Sequence, residues 1–272
     1  MSHFLESACD IAREAGALLS TYYHRGVSYE LKDKYDLVTE ADRASETLVV
    51  DRLRSLFPTH SILGEEGGQR QQSSEYQWYV DPLDGTTNFA HGYPMFNVTL
   101  ALERAGETIC GVIFDPLRQE MFMGELGGGA YLNGRRIRTS KVVKLENALL
   151  STGFPSRKRH ESVNVHFFHQ AAMGTHGVRR GGSAAIDLAY VSCGRLDGFW
   201  EFGLNPWDMA AGLLLIREAG GRTTDMKGNA VSLRGRHIAA TNGPIHEELL
   251  ALFGEIFQGR HRYPMPEIQP PE

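Results

Sequence analysis

Cysteine is scarce. Cys9, Cys110 and Cys193 are the only three in 272 residues. An odd number at such distances excludes a disulfide framework and any C-x-x-C metal or redox site, and it fits a reducing cytoplasm. Long apolar runs are missing as well. The longest, residues 209–216, falls far short of the ~20 residues that cross a bilayer, so no transmembrane helix is expected. Glu6, Asp10, Arg13 and Glu14 interrupt the place where the apolar core of a signal peptide would lie, and no export is expected. Basic charge is in deficit. Twenty-eight Lys and Arg against thirty-three Asp and Glu give a net charge of −5, which disfavours non-specific nucleic-acid binding and docking to an anionic membrane. Any anionic substrate would therefore need metal ions or local N–H dipoles to overcome the overall sign. The signatures G-x-x-x-x-G-K-[ST], H-E-x-x-H and G-x-S-x-G are absent, which removes the anchors for nucleotide-loop, zinc-protease and serine-hydrolase readings. There is no internal repeat.

What is present is ordinary globular composition, 42% hydrophobic and 22% charged, enough for one large or two modest domains. Leu5, Ala8, Ala12, Ala15, Leu19 and Tyr22 recur at three and four, the face of a helix that Gly26 can end. Thr39, three before Asp42, reads as a capping box opening a second helix through Ala44, Leu48 and Leu56, stopped by Pro58. Short apolar segments at 61–63 and 77–80 run straight into acidic residues. Segments 97–103, 108–114 and 119–123, separated by Ala105-Gly106 and Asp115-Pro116, predict an antiparallel meander, and Asn133-Gly134 predicts a hairpin turn. After about residue 145, strand-like pieces (149–152, 198–202, 237–241) alternate with helical ones (160–172, 184–193, 207–219), an α/β texture. The resulting division is 1–145, 146–260 and a Pro-rich tail, 261–272.

Glu65 and Glu66 follow one strand-like segment, and Asp81 and Asp84 follow another in the string DPLDGTTN, residues 81–88. Asp, Pro, Gly and Asn are turn residues, so a lone D-P-x-D-G can be a solvated turn. Here Trp78 and Val80 mark a buried strand leading into it. Carboxylates gathered at a sheet end repel by about 3 kcal/mol per pair at ~5 Å and an effective dielectric of ~20. Cations between them relieve that repulsion, and an all-oxygen set favours a hard ion such as Mg²⁺. Gly85 permits close backbone approach, and Thr86 and Thr87 offer hydroxyls and N–H groups where a helix can begin, a phosphate cradle. Together these features point to metal-assisted phosphoryl transfer to water.

The combination of GEE at 64–66, DPLDGTTN at 81–88 and WDMAAG at 207–212, with DLVTEAD at 36–42 and GGSAA at 181–185, resembles the inositol monophosphatase family of magnesium-dependent, lithium-sensitive phosphatases over nearly the whole chain. The resemblance implies an α/β fold, an α+β sandwich of alternating α-β-α-β-α layers. It has an antiparallel sheet in the N-terminal half, a smaller α/β C-terminal half and the active site between them. It implies Glu65, Asp81, the carbonyl of Leu83, Asp84 and Asp208 as ligands of two or three Mg²⁺ ions. Thr86, supported by Asp42, would orient and help deprotonate the attacking water, with Glu65 also in the catalytic set. Gly85 and Thr86 amides would hold the phosphate, while Gly182, Ser183, Ala184, Glu201 and Asp208 would contact the sugar-like part of the substrate. The alternative readings are an exposed end-of-strand acid for Glu201, an ordinary N-cap for Asp208, and either a phosphate-side cation or a surface lysine for Lys32. Homodimers are common in the family.

Glu201 and the chain length fit inositol 1-phosphate best, with histidinol phosphate or another small phosphomonoester as the alternative. The DPLDGTT string also resembles the haloacid-dehalogenase phosphatases, but two residues, Pro82 and Leu83, separate the aspartates, and Glu65 and Asp208 have no place in that scheme. A binding module associated with transcription machinery is the reading from another class. Arg157-Lys158-Arg159 and Arg179-Arg180 are short basic clusters read as solvated surface, and His160, His166 and His169 as surface or rim residues.

Overall fold

The computed structural model describes residues 1–26, 28–33, 36–67, 74–155, 161–265 and 267. Two helices open the chain, α1 (His3–Arg25) and α2 (Glu40–Leu56). The Ser2 hydroxyl caps α1 by accepting from the Leu5 amide at 3.3 Å, and Gly26 at φ 76 ends it. Thr39 and Asp42 form the expected capping box on α2. Between the helices lies a hairpin of β1 (Tyr29–Asp33) and β2 (Asp36–Thr39), which the sequence patterning did not indicate.

The meander is wider than three strands. A seven-stranded sheet runs in spatial and chain order through β3 (Ser61–Gly64), β4 (Tyr76–Asp84), β5 (Asn97–Arg104), β6 (Glu107–Asp115), β7 (Glu120–Glu125), β8 (Gly129–Leu132) and β9 (Arg135–Arg136). It is antiparallel except for the β3/β4 pair, which is parallel. The turn between β8 and β9 is Asn133-Gly134, both at positive φ, which suits a tight hairpin. A five-stranded mixed sheet follows. Its chain-order members are β10 (Leu149–Thr152), β11 (Gly177–Arg179), β12 (Gly198–Phe202), β13 (Arg222–Thr224) and β14 (His237–Thr241), arranged as β11-β10-β12-β14-β13. The remaining helices are α3 (Thr86–Ala90), α4 (Asn164–Gly174), α5 (Ala184–Ser192), α6 (Pro206–Glu218) and α7 (His246–Phe257). The helix expected over 160–172 thus begins at Asn164, and residues 156–160 lie outside the described set.

Alternation along each strand produces the layers. Trp78, Val80, Leu100, Leu102, Val112 and Phe114 point to one face and pack with Ile11, Leu19, Val49 and Leu53 of α1 and α2. Their neighbours Tyr79, Ala101, Ile113 and Phe122 point to the other face, against Ala185, Ala189, Ala210 and Ala211 of α5 and α6. Those helices bury their opposite side, Leu188, Val191, Met209 and Leu213, on Phe199, Ile238 and Ala240 of the second sheet. Leu150, Trp200 and Ala239 face outward onto Phe167 of α4 and Leu249 and Phe253 of α7. Five layers, α-β-α-β-α, enclose four apolar interfaces. Small residues let α6 approach closely: a Cβ on Gly111 would lie 2.8 Å from Ala211 Cα, and one on Gly212 would lie 2.5 Å from Leu188 Cβ.

Candidate active site

The C-terminal end of β4 and the N-terminal ends of α3, α5 and α6 meet around a cavity of about 450 Å³. Glu65, Asp81, Leu83, Asp84, Gly85, Thr86, Gly182, Ser183, Ala184, Glu201 and Asp208 all line it. Of the described residues that the resemblance assigns to catalysis, substrate or metal, Asp42 alone does not line the cavity; it stands behind Thr86. Glu66 lies beside Glu65 but not on the wall. The side chain of Lys32 and residues Arg157-Lys158-Arg159 and His160 lie outside the described residues.

β4 delivers the first two aspartates. Its pairing with β5 is regular up to Asp81 and shifts before Asp84, where the chain leaves the sheet. Asp81 Oδ1 accepts from the Leu83 amide at 3.1 Å, and the Leu83 carbonyl points back to the Thr86 hydroxyl at 3.0 Å. Gly85 adopts φ 93, and a Cβ there would fall 2.8 Å from the Met95 carbonyl oxygen. Only glycine fits both the left-handed backbone and the close approach.

Asp42 serves two elements at once. Its Oδ2 accepts from the Thr39 amide at 2.8 Å and the Thr39 hydroxyl at 2.6 Å, while Oδ1 faces the Thr86 hydroxyl at 2.9 Å. The capping box of α2 therefore aims a buried carboxylate at the site. Asp208 is the N3 residue of α6, not its N-cap. Its Oδ2 accepts from the Asn205 amide at 2.6 Å. Glu201, on β12, is buried rather than an exposed strand-end acid. A Cβ on Gly153 would lie 2.1 Å from its Oε2, so glycine leaves room for that carboxylate.

Burial dominates the electrostatics. It raises Asp81 well above the usual carboxylate range, helped by the charges of Glu65, Asp84 and Asp208 and opposed by the Leu83 amide. Burial also lifts Asp84, against bonds from Ser183, Asn97 and the α5 amides. Glu201 is pushed up to about 8 by burial and by Asp187 and Asp84. Asp208 also reaches about 8, through burial and the charges of Asp84 and Glu201, with the Asn205 amide opposing. Among the described residues no three Asp, Glu, His or Cys side chains converge closely enough to enclose an ion by themselves. An oxygen-only set of mutually repelling carboxylates around open space nevertheless fits Mg²⁺, which keeps several waters and shares substrate oxygens rather than sitting in an all-protein cage.

Sequence reasoning missed several wall residues. Asp187, one turn into α5, is buried, faces the cavity and is raised by burial and by Asp84. No motif signals it; only its place on the apolar helical face marks it. Arg180, read as part of a solvated pair, lines the cavity, as does Arg236. Asn97 lies behind the wall and bonds both Asp84 and Ser183 at 2.9 Å. Ser183 gives its hydroxyl to Asp84 Oδ2 at 2.6 Å and caps α5, so in this arrangement it supports a carboxylate. His166 stacks on His261 away from the cavity.

Comparison with known proteins agrees over more than nine-tenths of the chain. The family model described as "Inositol monophosphatase family" matches residues 1–258. The "Nus factor SuhB" of Pseudomonas aeruginosa is 47% identical over 258 residues, 92% of this chain and 95% of that protein. The "Inositol-1-monophosphatase" of Mesorhizobium japonicum is 43% identical over 254 residues, with coverage of 92% and 95%. Among solved structures, inositol monophosphatase from Anabaena superposes with a TM-score of 0.84 at 43% identity, covering 94% of this chain and 95% of the other. The extragenic suppressor protein suhB from Bartonella henselae gives 0.88 at 39%, covering 93% and 98%.

Proposed function

This chain belongs to the inositol monophosphatase family, and from that premise we propose that it is a Mg²⁺-dependent phosphomonoesterase that hydrolyses inositol 1-phosphate to inositol and phosphate. The observation that carries the reading is the convergence of Glu65, Asp81, Asp84 and Asp208 on one cavity beside the turn of Gly85, Thr86 and Thr87. Relatives named inositol-1-monophosphatase support the substrate.

Glu65, Asp81, Asp84, Asp208 and the Leu83 carbonyl would hold two or three Mg²⁺ ions. Bound Mg²⁺ supplies the neutralisation of phosphoryl charge and the acidification of water that this chain's own groups cannot. The rest falls to the protein. The Gly85 and Thr86 amides hold phosphate oxygens at the first turn of α3. Thr86 Oγ1 points its own proton at Asp42 Oδ1, 2.9 Å away, so that as the attacking water hands a proton to Oγ1 the threonine proton passes to the Asp42 carboxylate. Asp42, fixed by its two bonds to Thr39, keeps Thr86 in that orientation. Glu201, Gly182, Ala184 and Asp208 contact the polyol, and Ser183 holds the α5 end to which they belong. The enzyme works as a lithium-sensitive, cytoplasmic homodimer. Attack by water predicts no phospho-enzyme on Asp81.

Phosphate release from inositol 1-phosphate, histidinol phosphate, fructose 1,6-bisphosphate and 3′-phosphoadenosine 5′-phosphate tests the substrate. Preference for inositol 1-phosphate is expected. Preference for another ester discards the substrate and keeps the chemistry. A second reading, association with transcription machinery, is favoured by the relatives named Nus factor SuhB. It predicts that deleting the gene has an effect that the Asp84→Asn protein reverses.

A further inference from the structure

Asn97 belongs to no motif above, and yet its fully buried side chain sits at the first position of β5, in register opposite Asp84. Its Nδ2 donates to Asp84 Oδ2 and to Ser183 Oγ, each at 2.9 Å. Its Oδ1 accepts from the Thr99 hydroxyl at 2.6 Å. The direction of every bond is forced. A carboxylate can only accept, so both amide hydrogens are committed and Oδ1 must meet a donor, which is Thr99. Ser183 Oγ accepts from Asn97 and from the Ile186 amide at 3.3 Å, so its single hydrogen goes to Asp84 Oδ2 at 2.6 Å. The Ala185 amide adds a third donor at 2.9 Å. Three donors from two different layers thus converge on one oxygen of Asp84, and none of these bonds engages Oδ1. A second strut lies alongside: Asn88 Nδ2 bridges the Met95 and Gly181 carbonyls at 2.8 and 2.9 Å.

We infer that Asn97, oriented by Thr99, is a positioning residue that locks the Asp84 carboxylate to the turn at 181–185 and thereby sets the Mg²⁺ affinity of the site. Without its amide, Asp84 Oδ2 keeps two donors, the Ser183 hydroxyl loses the partner that fixes its direction, and the carboxylate plane can rotate. The inference rests on the reading of Asp84 as a Mg²⁺ ligand.

Calorimetric titration of Mg²⁺ into the full-length protein without substrate tests it, using wild type, Asn97→Leu, Thr99→Val and Asp84→Asn, with folding checked by near-UV circular dichroism. Asn97→Leu should bind Mg²⁺ about 10- to 100-fold more weakly, the usual effect of losing a group that orients a ligand. Thr99→Val should shift affinity in the same direction by less, and Asp84→Asn should lose most binding. In turnover, the Mg²⁺ concentration for half-activity should rise in Asn97→Leu while kcat at saturating Mg²⁺ is largely recovered, a split that general loosening of the fold would not produce. Wild-type affinity in folded Asn97→Leu, beside a defective Asp84→Asn, overturns the inference. Should the leucine variant not fold, wild-type affinity in Thr99→Val does so. Wild-type affinity in Asp84→Asn overturns the ligand reading instead.

Discussion

At the scale of single residues, the site depends on side chains that serve structure and chemistry together. Asp42 caps α2 with one oxygen and holds Thr86 with the other. Removing the Thr86 hydroxyl leaves the capping box intact and deletes only the contact toward the cavity. Thr86→Ala should therefore lower kcat about 10²- to 10⁴-fold, the range for a lost acid–base partner. Its melting temperature should stay near that of wild type; steady-state kinetics beside a thermal melt checks both. Much of this was legible in the sequence, because Thr39, Asp42, Asp81, Asp84 and Thr86 sit in short strings whose turn and capping chemistry is local. Asn97 and Asp187 were not legible. Each matters through a partner more than ten residues away or through the direction a helix faces, and neither property leaves a mark at short range.

At the scale of elements, the α5/α6 layer is the part that both sheets share. The close approach at Gly111 and Ala211 leaves no room for a side chain. Gly111→Val should destabilise the protein by at least the ~1–3 kcal/mol typical of overpacking, read as a lower midpoint in urea unfolding. Strand alternation and helical spacing in the sequence foretold α1, α2, β5, β6 and, after residue 145, β10, α4, α5, β12, α6 and β14, but not β11, β13 or α7. They did not foretell the β1/β2 hairpin or the parallel β3/β4 pair. Partner choice between strands is a tertiary matter that alternation alone does not encode. The small residues of WDMAAG read as part of a motif, and the structure gives Ala211 and Gly212 a packing reason as well.

At the scale of the whole molecule, a chain with net charge −5 concentrates buried carboxylates at one cavity, a cost borne by the fold when no cation is present. Glu201 and Asp208, raised to about 8, hold protons in the folded metal-free protein that the unfolded chain has already released. Stability of the chelated protein should therefore fall as pH rises from 6.5 to 8. His246, lowered by burial to about 4, titrates below that window and acts in the opposite sense there, losing stability as pH falls. On the proposed function Mg²⁺ would bind these carboxylates in their deprotonated form, so it should shrink the fall. Thermal melts at pH 6.5 and 8, with Mg²⁺ and with chelator, check the sign; a chelated protein that gains stability across this window would contradict it.

The most direct test of the central claim is phosphate release from inositol 1-phosphate by wild type and Asp84→Asn, each with Mg²⁺ and with chelator. The account predicts turnover only in wild type with Mg²⁺, with the variant down by more than the ~100-fold that loss of an orienting group costs. Equal turnover by Asp84→Asn, or turnover by wild type that survives chelation, would contradict it.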